Sequence, residues 1–424
     1  MKKAWLIPLT VLALSVVGCK SVKETEPTWR HHLNEADRPS SRIITSHAEG
    51  AFHYLYRDGD NMRFETYDAA GIVIDDGGLG HRSEAPNQFD PETGDGYKTV
   101  ITGTGLKLIK YNPDFSKAWE ASLPDLAMLE GDYTPLSYGF GRNGSMVALL
   151  INRMLVTFSG NGGLLGQRLL EVSGGGSASL LGVNRNNELV VSAAGIKVYN
   201  QALETLLSVD GITGYRPDVA VVTDEYFILH QNYGFNSYSL VNGDLVWSTG
   251  PIGYIYDRVI GDGIYIVHQN PDNDQHLRIS RFTLDGNKIW SKGLPGIYDL
   301  EPEIQISGDK VMVTYFERVS ALPTFTGTGN TKDTDAWRAK LFDASGKEIQ
   351  SVVMDPMTTV YDCGAFGCSG DIVEGGTESL RDAIIGDDHI FVLSEFDSAV
   401  NGKGNHAELS GSHHDLSGYQ RSSE

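Results

Sequence analysis

Short runs of alternating apolar and polar residues recur along the chain, and most end in an aromatic residue followed by a turn. Two examples are "NSYSLVNGDLVWSTG" from residue 236 and "ISRFTLDGNKIWSKG" from residue 279. Alternation of period two around an Asn-Gly or Asp-Gly turn predicts a β-hairpin. Two further strand-like runs precede each hairpin, as in "DRVIGDGIYIVHQ" from residue 257. Each unit is therefore predicted to contain four short strands.

These units recur at intervals of about 40–47 residues, with one longer interval of about 60, which is the period of propeller blades. The residues that mark the repeat are Tyr67, Tyr111, Phe158, Tyr199, Ser239, Phe282 and Phe342. No run between the units has the periodicity of an amphipathic helix, which argues against a βαβ fold. The predicted fold class is all-β, a β-propeller of four-stranded antiparallel blades.

The ends of the chain bear on the number of blades. Seven complete units run from about Ser41 to Met354, and "RDAIIGDDHIFVLSEF" begins the first two strands of another at Arg381. Trp29 precedes the strand around Ile43 at the spacing seen after the tryptophans of the later hairpins. Residues near 27–33 are therefore predicted to form the closing strand, with the 397–424 tail as a candidate for the missing third strand. We predict one propeller over residues 27–396, with eight blades favoured over seven.

The first residues differ in composition from everything that follows. Lys2 and Lys3 precede a short apolar run that ends in "VVGC" at Cys19. A positive start and a run too short to span a membrane are typical of an export signal, and "VVGC" resembles a bacterial lipobox. The resemblance implies a signal peptide over residues 1–18, a lipidated Cys19 and a polar tether over residues 19–26. With Lys20 next, it also implies the outer membrane; an ordinary secretory signal is the alternative.

The net charge argues against nucleic-acid binding, and the cysteine content bears on a disulfide or a metal site. The formal net charge is −21, and such a surface repels nucleic acid phosphates. Apart from Cys19, the cysteines are Cys363 and Cys368 in "DCGAFGC". An even remainder in an exported protein favours a disulfide. The alternative, a metal site, requires further ligands.

The "GDLVWSTG" and "GNKIWSKG" hairpins resemble the tryptophan-docking repeats of quinoprotein-like (PQQ-like) propellers, in which a tryptophan late in each blade packs onto the neighbouring blade. Corresponding tryptophans stand at Trp29, Trp119, Trp247 and Trp290. Quinoprotein dehydrogenases carry an adjacent cysteine pair that this chain lacks, so no redox cofactor is expected. In length and predicted anchoring, the chain is distantly similar to the propeller lipoproteins of the outer-membrane β-barrel assembly machinery.

The tripeptide His-Gln-Asn occurs twice, from His230 and from His268. We interpret it as one blade position, at the end of the second strand, occupied in two adjacent blades. The loops that follow share a face with the connections between blades. Binding residues concentrate on such loops, and the candidate binding face comprises His230, Asn232, Tyr233, Tyr254, Tyr256, His268, Asn270 and Arg318.

A protein-binding scaffold without catalysis, anchored in the cell envelope, is the predicted function. One alternative is a polysaccharide lyase or hydrolase with His230, His268, Tyr233 and Arg318 at its centre, which requires these side chains to converge in a concave pocket. The other alternative is a lipoprotein that binds a divalent metal or a small ligand. The oxygen-rich "NPDND" at 270–274 is a candidate Ca²⁺ loop but lacks the downstream Gly and Glu of an EF-hand.

Overall fold

The computed structural model describes residues 25, 27–34, 41–45, 50–83, 85–102, 105–123, 137–172, 177–270, 273–294, 302–319, 331–354, 357–364, 367–374, 377–386, 389–397 and 413–420. These residues form eight antiparallel sheets, each built on four strands in meander order. From blade 3 round to blade 1, the first strands of neighbouring sheets contact one another, which places them at the centre of the ring. We call the strands of a blade A to D from the centre outward. The prediction of an eight-bladed propeller is confirmed.

The first four blades take their strands in simple chain order. Blade 1 contains β2 (Arg42–Thr45), β3 (Phe52–Asp58), β4 (Asn61–Tyr67) and β5 (Val73–His81). Blade 2 contains β6 (Gln88–Phe89), β7 (Gly96–Thr102), β8 (Gly105–Tyr111) and β9 (Lys117–Leu123). Blade 3 contains β10 (Ser137–Phe140), β11 (Met146–Ile151), β12 (Met154–Ser159) and β13 (Leu164–Leu169). Blade 4 contains β14 (Ser179–Val183), β15 (Leu189–Ala193), β16 (Gly195–Tyr199) and β17 (Thr205–Val209).

The remaining blades include an extension and the ring closure. Blade 5 contains β18 (Tyr215–Val222), β19 (Tyr226–Gln231), β20 (Gly234–Ser239) and β21 (Leu245–Ser248). Blade 6 contains β22 (Ile255–Ile260), β23 (Ile264–Asn270), β24 (Asn273–Phe282) and β25 (Lys288–Leu294). Blade 7 contains β26 (Glu303–Ser307), β27 (Lys310–Val319), β28 (Thr331–Phe342) and β29 (Glu348–Val353). Blade 8 contains β32 (Thr377–Ile385), β33 (His389–Asp397), β34 (His413–Gln420) and, outermost, β1 (Trp29–Asn34).

Two additional strands lengthen the sheet of blade 7. The hairpin of β30 (Met357–Gly364) and β31 (Gly367–Glu374) pairs with the early part of β28. Among the described residues the only helical turn is Arg142–Gly144, in the A–B turn of blade 3. The described residues contain no helix long and apolar enough to cross a membrane.

An aromatic residue near the end of strand C sets a common register for most blades. In blades 1 to 7 the pairing of strands C and D shifts by one residue just before it, a β-bulge that bends the strand into the next turn. In blade 5 the shift lies between Ser237 and Tyr238. Tyr238, and not Ser239, is therefore the residue that corresponds to the aromatic markers of the other blades. The sequence-based alignment of blade 5 was wrong by one residue.

Four tryptophans of strand D dock onto the C–D turn of the following blade. Each lies over a turn glycine with positive φ, where a Cβ would come within 3.0 Å of the indole; the pairs are Trp29–Gly71, Trp119–Gly162, Trp247–Gly286 and Trp290–Gly346. Glycine is required at these turns both by the left-handed backbone and by the close approach of the ring. The Trp29 pair joins blade 8 to blade 1 at the ring closure.

A position in strand A makes a second connection between blades, nearer the centre. In blade 6 the carboxylate of Asp257 accepts a hydrogen bond from the amide of Ile304 in blade 7, 2.9 Å away. At the equivalent position in blade 8, Asp382 accepts from the amide of Ile43 in blade 1, at 3.0 Å. Burial raises the pKa of Asp382 to about 7. The ring is thus closed by a docked indole near its rim and a carboxyl–amide bond near its centre.

Candidate functional site

The two His-Gln-Asn histidines do not occupy the same blade position. Trp247 lies opposite Ser237, which lies opposite Ile228, and His230 follows two residues later. In blade 6, Trp290 lies opposite Arg281, which lies opposite Tyr265. The residue two positions after Tyr265 is Val267, so His268 lies one residue beyond the position that His230 occupies in blade 5. A shift of one residue turns a strand side chain to the opposite face of the sheet. Our interpretation of the tripeptide as one repeated position is therefore wrong.

The consequence is that both histidines face the same junction from opposite sides. In blade 5, Ile228 packs toward blade 6, and His230 lies two residues further along the same face. In blade 6, Ile264 and Ile266 pack toward blade 5, and His268 continues that face. The connection between the two blades, residues 249–254, runs between the histidines.

His230 is a buried structural contact of this connection. The residue is 4% exposed, and its Nε2 donates to the carbonyl of Gly253 at 3.2 Å. Its ring lies edge-on to Phe235, with 6.1 Å between centroids. Burial lowers the pKa of His230, an effect that the Gly253 carbonyl partly offsets. A neutral imidazole committed to a backbone carbonyl is poorly placed to act as a general base.

His268 begins a chain of hydrogen bonds across the face of blade 6. It is 3% exposed; its Nδ1 donates to the Gln269 carbonyl at 2.8 Å, and its Nε2 lies 2.8 Å from the Ser280 hydroxyl. The hydroxyls of Ser280 and Ser291 are 2.7 Å apart, and Arg278 Nε donates to Ser291 at 2.9 Å. Burial lowers the pKa of His268 to about 4, so the imidazole is neutral at neutral pH. The hydrogen bonds therefore connect the Arg278 guanidinium, through Ser291 and Ser280, to the neutral imidazole of His268.

The Ser280–His268 pair has the spacing of a nucleophile and its base. Ser280 is only 1% exposed, however, and its hydroxyl is shared with Ser291. No Asp or Glu orients the imidazole, because Nδ1 is bonded to a backbone carbonyl. The pair is better explained as a buried polar network that is satisfied internally.

The hydrogen-bonded residues His268, Ser280, Ser291 and Arg278 line a cleft between blades 5 and 6 with a volume of about 420 Å³. Blade 6 supplies one wall, and the connection from blade 5 supplies the other. The lining comprises Thr249, Gly250, Pro251, Ile252, His268, Asn270, Arg278, Ser280, Phe282, Gly286, Lys288 and Ser291. Of the predicted site residues whose side chains the structure describes, His268 and Asn270 line it and the others do not. Arg278, Ser280, Lys288 and Ser291 were missed by the sequence analysis. The alternation in the two strands that carry them, "RIS" and "KIWS", does not indicate which face of the sheet they occupy.

A cluster of aromatic side chains lies on the face that carries the B–C turns, which we call the upper face. Tyr254 is 40% exposed, stands 4.3 Å from the Arg216 guanidinium, and meets Tyr256 edge-on at 5.0 Å. Arg216 is itself fixed by an ion pair with Asp218 and by donation to the carbonyl of Ile255 at 2.8 Å. These contacts hold Tyr254 in one orientation.

Tyr233 is the most exposed aromatic residue of this region, at 64%. Asn232 and Tyr233 form a two-residue turn with φ of 51° and 65°. Asn adopts this left-handed conformation readily, whereas for Tyr it costs about 1–2 kcal/mol. The Tyr233 carbonyl accepts hydrogen bonds from the amides of Ile252 and Gly253, at 2.5 and 3.2 Å. The connection between the blades thus holds an aromatic side chain outward at an energetic cost.

The remaining predicted residues are only partly described. Arg318 is placed in β27, but its side chain, the 271–275 side chains of the candidate Ca²⁺ loop and Cys19 lie outside the described residues. Cys363 and Cys368 face each other in the register of β30 and β31, and their disulfide stays a prediction. Within the described parts of the chain, no three His, Cys, Asp or Glu side chains are grouped to hold a metal.

No protein-family model matches the chain, and no curated protein is detectably similar to it in sequence. Solved structures of similar fold include BamB from Moraxella catarrhalis, 12% identical over 76% of this chain and 93% of that chain, with a TM-score of 0.36. A eukaryotic initiation factor is 11% identical over 90% of this chain and 86% of that chain, with a TM-score of 0.46. The WD40 domain of SCAP from fission yeast is 11% identical over 93% and 98%, with a TM-score of 0.41. At these values nothing about activity or partner follows from the likeness.

Proposed function

We propose that this protein is a lipid-anchored lipoprotein of the bacterial cell envelope that binds a protein partner through the upper face of blades 5 and 6, without catalysis. The proposal is carried by the cluster of Tyr233, Tyr254, Tyr256 and Arg216, which we call the upper-face patch. Tyr and Arg are enriched among residues that dominate the energetics of protein interfaces. Tyr254, which Arg216 and Tyr256 already hold in place, loses little side-chain entropy on binding.

The position of Tyr233 supports this choice of surface. Glycine would adopt its backbone conformation without strain, yet the chain places a large, exposed aromatic ring there. Strain of this kind concentrates at ligand-binding positions. The catalytic alternative has weaker support, since His230 is buried against a backbone carbonyl and, of the described side chains in the proposed catalytic set, only that of His268 lines the cleft.

Site-specific photo-crosslinking in membranes of the native host tests the partner surface. A benzophenone amino acid replaces Tyr233 in one variant and Val241 in a matched control. Val241 lies in the same blade, in the C–D turn on the opposite face, and is 87% exposed. We expect one defined protein adduct from position 233 and none from position 241. Identical adducts from both positions, or no adduct from position 233, would contradict the proposal.

Tyr233→Gly separates binding from folding. The substitution removes the ring and relieves the left-handed strain, so we expect the melting temperature to be unchanged or higher. Recovery of the crosslinked partner through a probe at position 254 should fall at least tenfold. Full recovery with the glycine variant would show that Tyr233 does not contribute to the interface.

The membrane anchor rests on the "VVGC" sequence at Cys19. Cys19→Ser should abolish incorporation of labelled palmitate and release the protein from sedimented membranes, because two or more acyl chains are needed for stable anchoring. Cys363→Ser is the matched control and should leave labelling unchanged. Palmitate incorporation by the Cys19→Ser variant would rule out this anchor.

A further inference from the structure

The cleft between blades 5 and 6 differs in charge from the rest of the molecule. The chain carries 55 acidic residues against 34 basic ones. None of the twelve described residues that line the cleft is acidic, and two of them, Arg278 and Lys288, carry a positive charge. A concave site lined by one sign of charge concentrates ligands of the opposite sign, even on a protein of the same sign as the ligand.

Neither cation is neutralised by a described neighbour. Arg278 uses its Nε to donate to Ser291, and its terminal nitrogens form no ion pair within the described part of the chain. The same holds for the ammonium of Lys288. Two cations elsewhere do have acidic partners: the buried Lys110 lies 2.6 Å from Asp95, and the partly buried Arg281 lies 2.6 Å from Asp262. With no acidic partner among the described residues, Arg278 and Lys288 are left for a ligand.

Further donors and an apolar wall complete the site. Thr249 Oγ1 accepts the amide of Phe235 at 2.8 Å, so the hydroxyl proton of Thr249 is left for another acceptor. Pro251, Ile252 and Phe282 supply apolar surface. The hydrogen bond from Arg278 Nε to Ser291, which is itself bonded through Ser280 to His268, orients the guanidinium before a ligand binds.

We propose that this cleft binds the oxyanion group of a small solute, a carboxylate or a phosphate, between Arg278 and Lys288, with the body of the solute against Pro251, Ile252 and Phe282. The volume of about 420 Å³ is within the range of small-ligand pockets. The site is independent of the proposed protein-binding patch, because Tyr233, Tyr254, Tyr256 and Arg216 do not line it.

Isothermal titration calorimetry of the full chain with three probes tests the proposal. The probes are inorganic phosphate, galacturonate and neutral galactose. We expect saturable binding of at least one of the two anions and none of galactose. Tighter binding of phosphate identifies a phosphorylated solute, and tighter binding of galacturonate identifies a carboxylic acid.

Three substitutions locate the binding. Arg278→Gln and Lys288→Gln should each weaken anion binding at least tenfold. Lys292→Gln removes the same charge from the same strand, at an exposed position outside the cleft, and should change the affinity less than twofold. Lys288 is exposed, so its variant remains informative if Arg278→Gln fails to fold.

Three results would overturn the proposal. One is the absence of saturable binding by either anion. Another is an equal loss of affinity in Lys288→Gln and Lys292→Gln, which would indicate a response to net charge alone. The last is binding of galactose as tight as that of galacturonate, which would show that the anionic group is not recognised.

Discussion

The junctions on the two sides of blade 6 each contain a docked tryptophan, but the hydrogen bonding of the two indoles differs. Between blades 6 and 7, Trp290 donates its indole hydrogen to the Ala344 carbonyl at 3.0 Å, and Arg281 donates to the same carbonyl at 2.6 Å. Between blades 5 and 6, the indole nitrogen of Trp247 is buried without a hydrogen-bond partner among the described residues. The second junction contains the cleft.

A single position in strand C accounts for part of this difference. Arg281 lies opposite Trp290, and its counterpart opposite Trp247 is Ser237. The guanidinium reaches the turn of the next blade, whereas the Ser237 hydroxyl is buried and has no partner in the described structure. A repeated docking motif therefore does not make all junctions equally tight. The junction whose indole has no described partner also contains a cleft of about 420 Å³ with two cations that are unpaired among the described residues.

The largest expected effect comes from truncating the two tryptophans. Trp290→Ala removes a large buried side chain and an indole hydrogen bond, so we expect a loss of about 3–5 kcal/mol in the free energy of unfolding. Trp247→Ala removes a partly exposed ring without a hydrogen bond and should cost about 1–3 kcal/mol. Urea denaturation of both variants measures the gap. Equal losses would show that the two junctions contribute alike.

The second prediction concerns His268, whose pKa is lowered from 6.5 to about 4. The unfolded chain then binds a proton that the folded chain does not, so the stabilising contribution is complete above pH 6.5 and is lost as the pH falls toward 4. Relative to His268→Gln, the wild type should lose about 2 kcal/mol of stability between pH 7 and pH 5. Urea denaturation of both proteins at the two pH values measures it. A pH-independent difference would mean that His268 titrates normally in the folded protein.

The smallest effect distinguishes Ser237 from its counterpart in blade 3. Thr157 stands at the equivalent position and donates to the Gln201 carbonyl of blade 4 at 2.7 Å. Thr157→Val should therefore cost about 1 kcal/mol through the lost hydrogen bond. Ser237→Ala removes a buried, unpaired hydroxyl and should be neutral or stabilising by about 1 kcal/mol. Thermal unfolding resolves the two signs; a clear loss for Ser237→Ala would reveal a partner for that hydroxyl in solution.

Much of the fold was predictable, because every blade repeats the same local pattern. Alternation of period two and the Asn-Gly and Asp-Gly turns were sufficient for seven complete four-stranded units. Eight blades were favoured over seven because the segment around Trp29 has the spacing of a closing strand. The resemblance of the tryptophan hairpins to docking repeats likewise indicated contacts between neighbouring blades. The β30–β31 hairpin was not predicted, since the 355–380 segment departs from the repeat and reads as a long loop.

The candidate site was predictable in place but not in detail. Tyr233 and Tyr254 were assigned to the upper face, because loop position follows from strand order. The roles of His230 and His268 could not be derived from the sequence. Strand alternation places successive side chains on opposite faces of the sheet, but it does not indicate which face is turned toward which neighbouring blade. That choice depends on pairing with strand C.

What the sequence by itself determined is the repeat: strand type, turn chemistry and the period of a propeller blade, all of which arise from interactions between residues close along the chain. Only the tertiary structure decided the register. His268 lies four residues after Ile264, the partner of Phe282, whereas His230 lies three residues after Phe227, the partner of Tyr238. Because of this one-residue difference, His268 turns back toward blade 5 and His230 turns forward to blade 6. Two identical tripeptides thus meet at one junction, beside the cleft where Arg278 and Lys288 remain unpaired among the described residues.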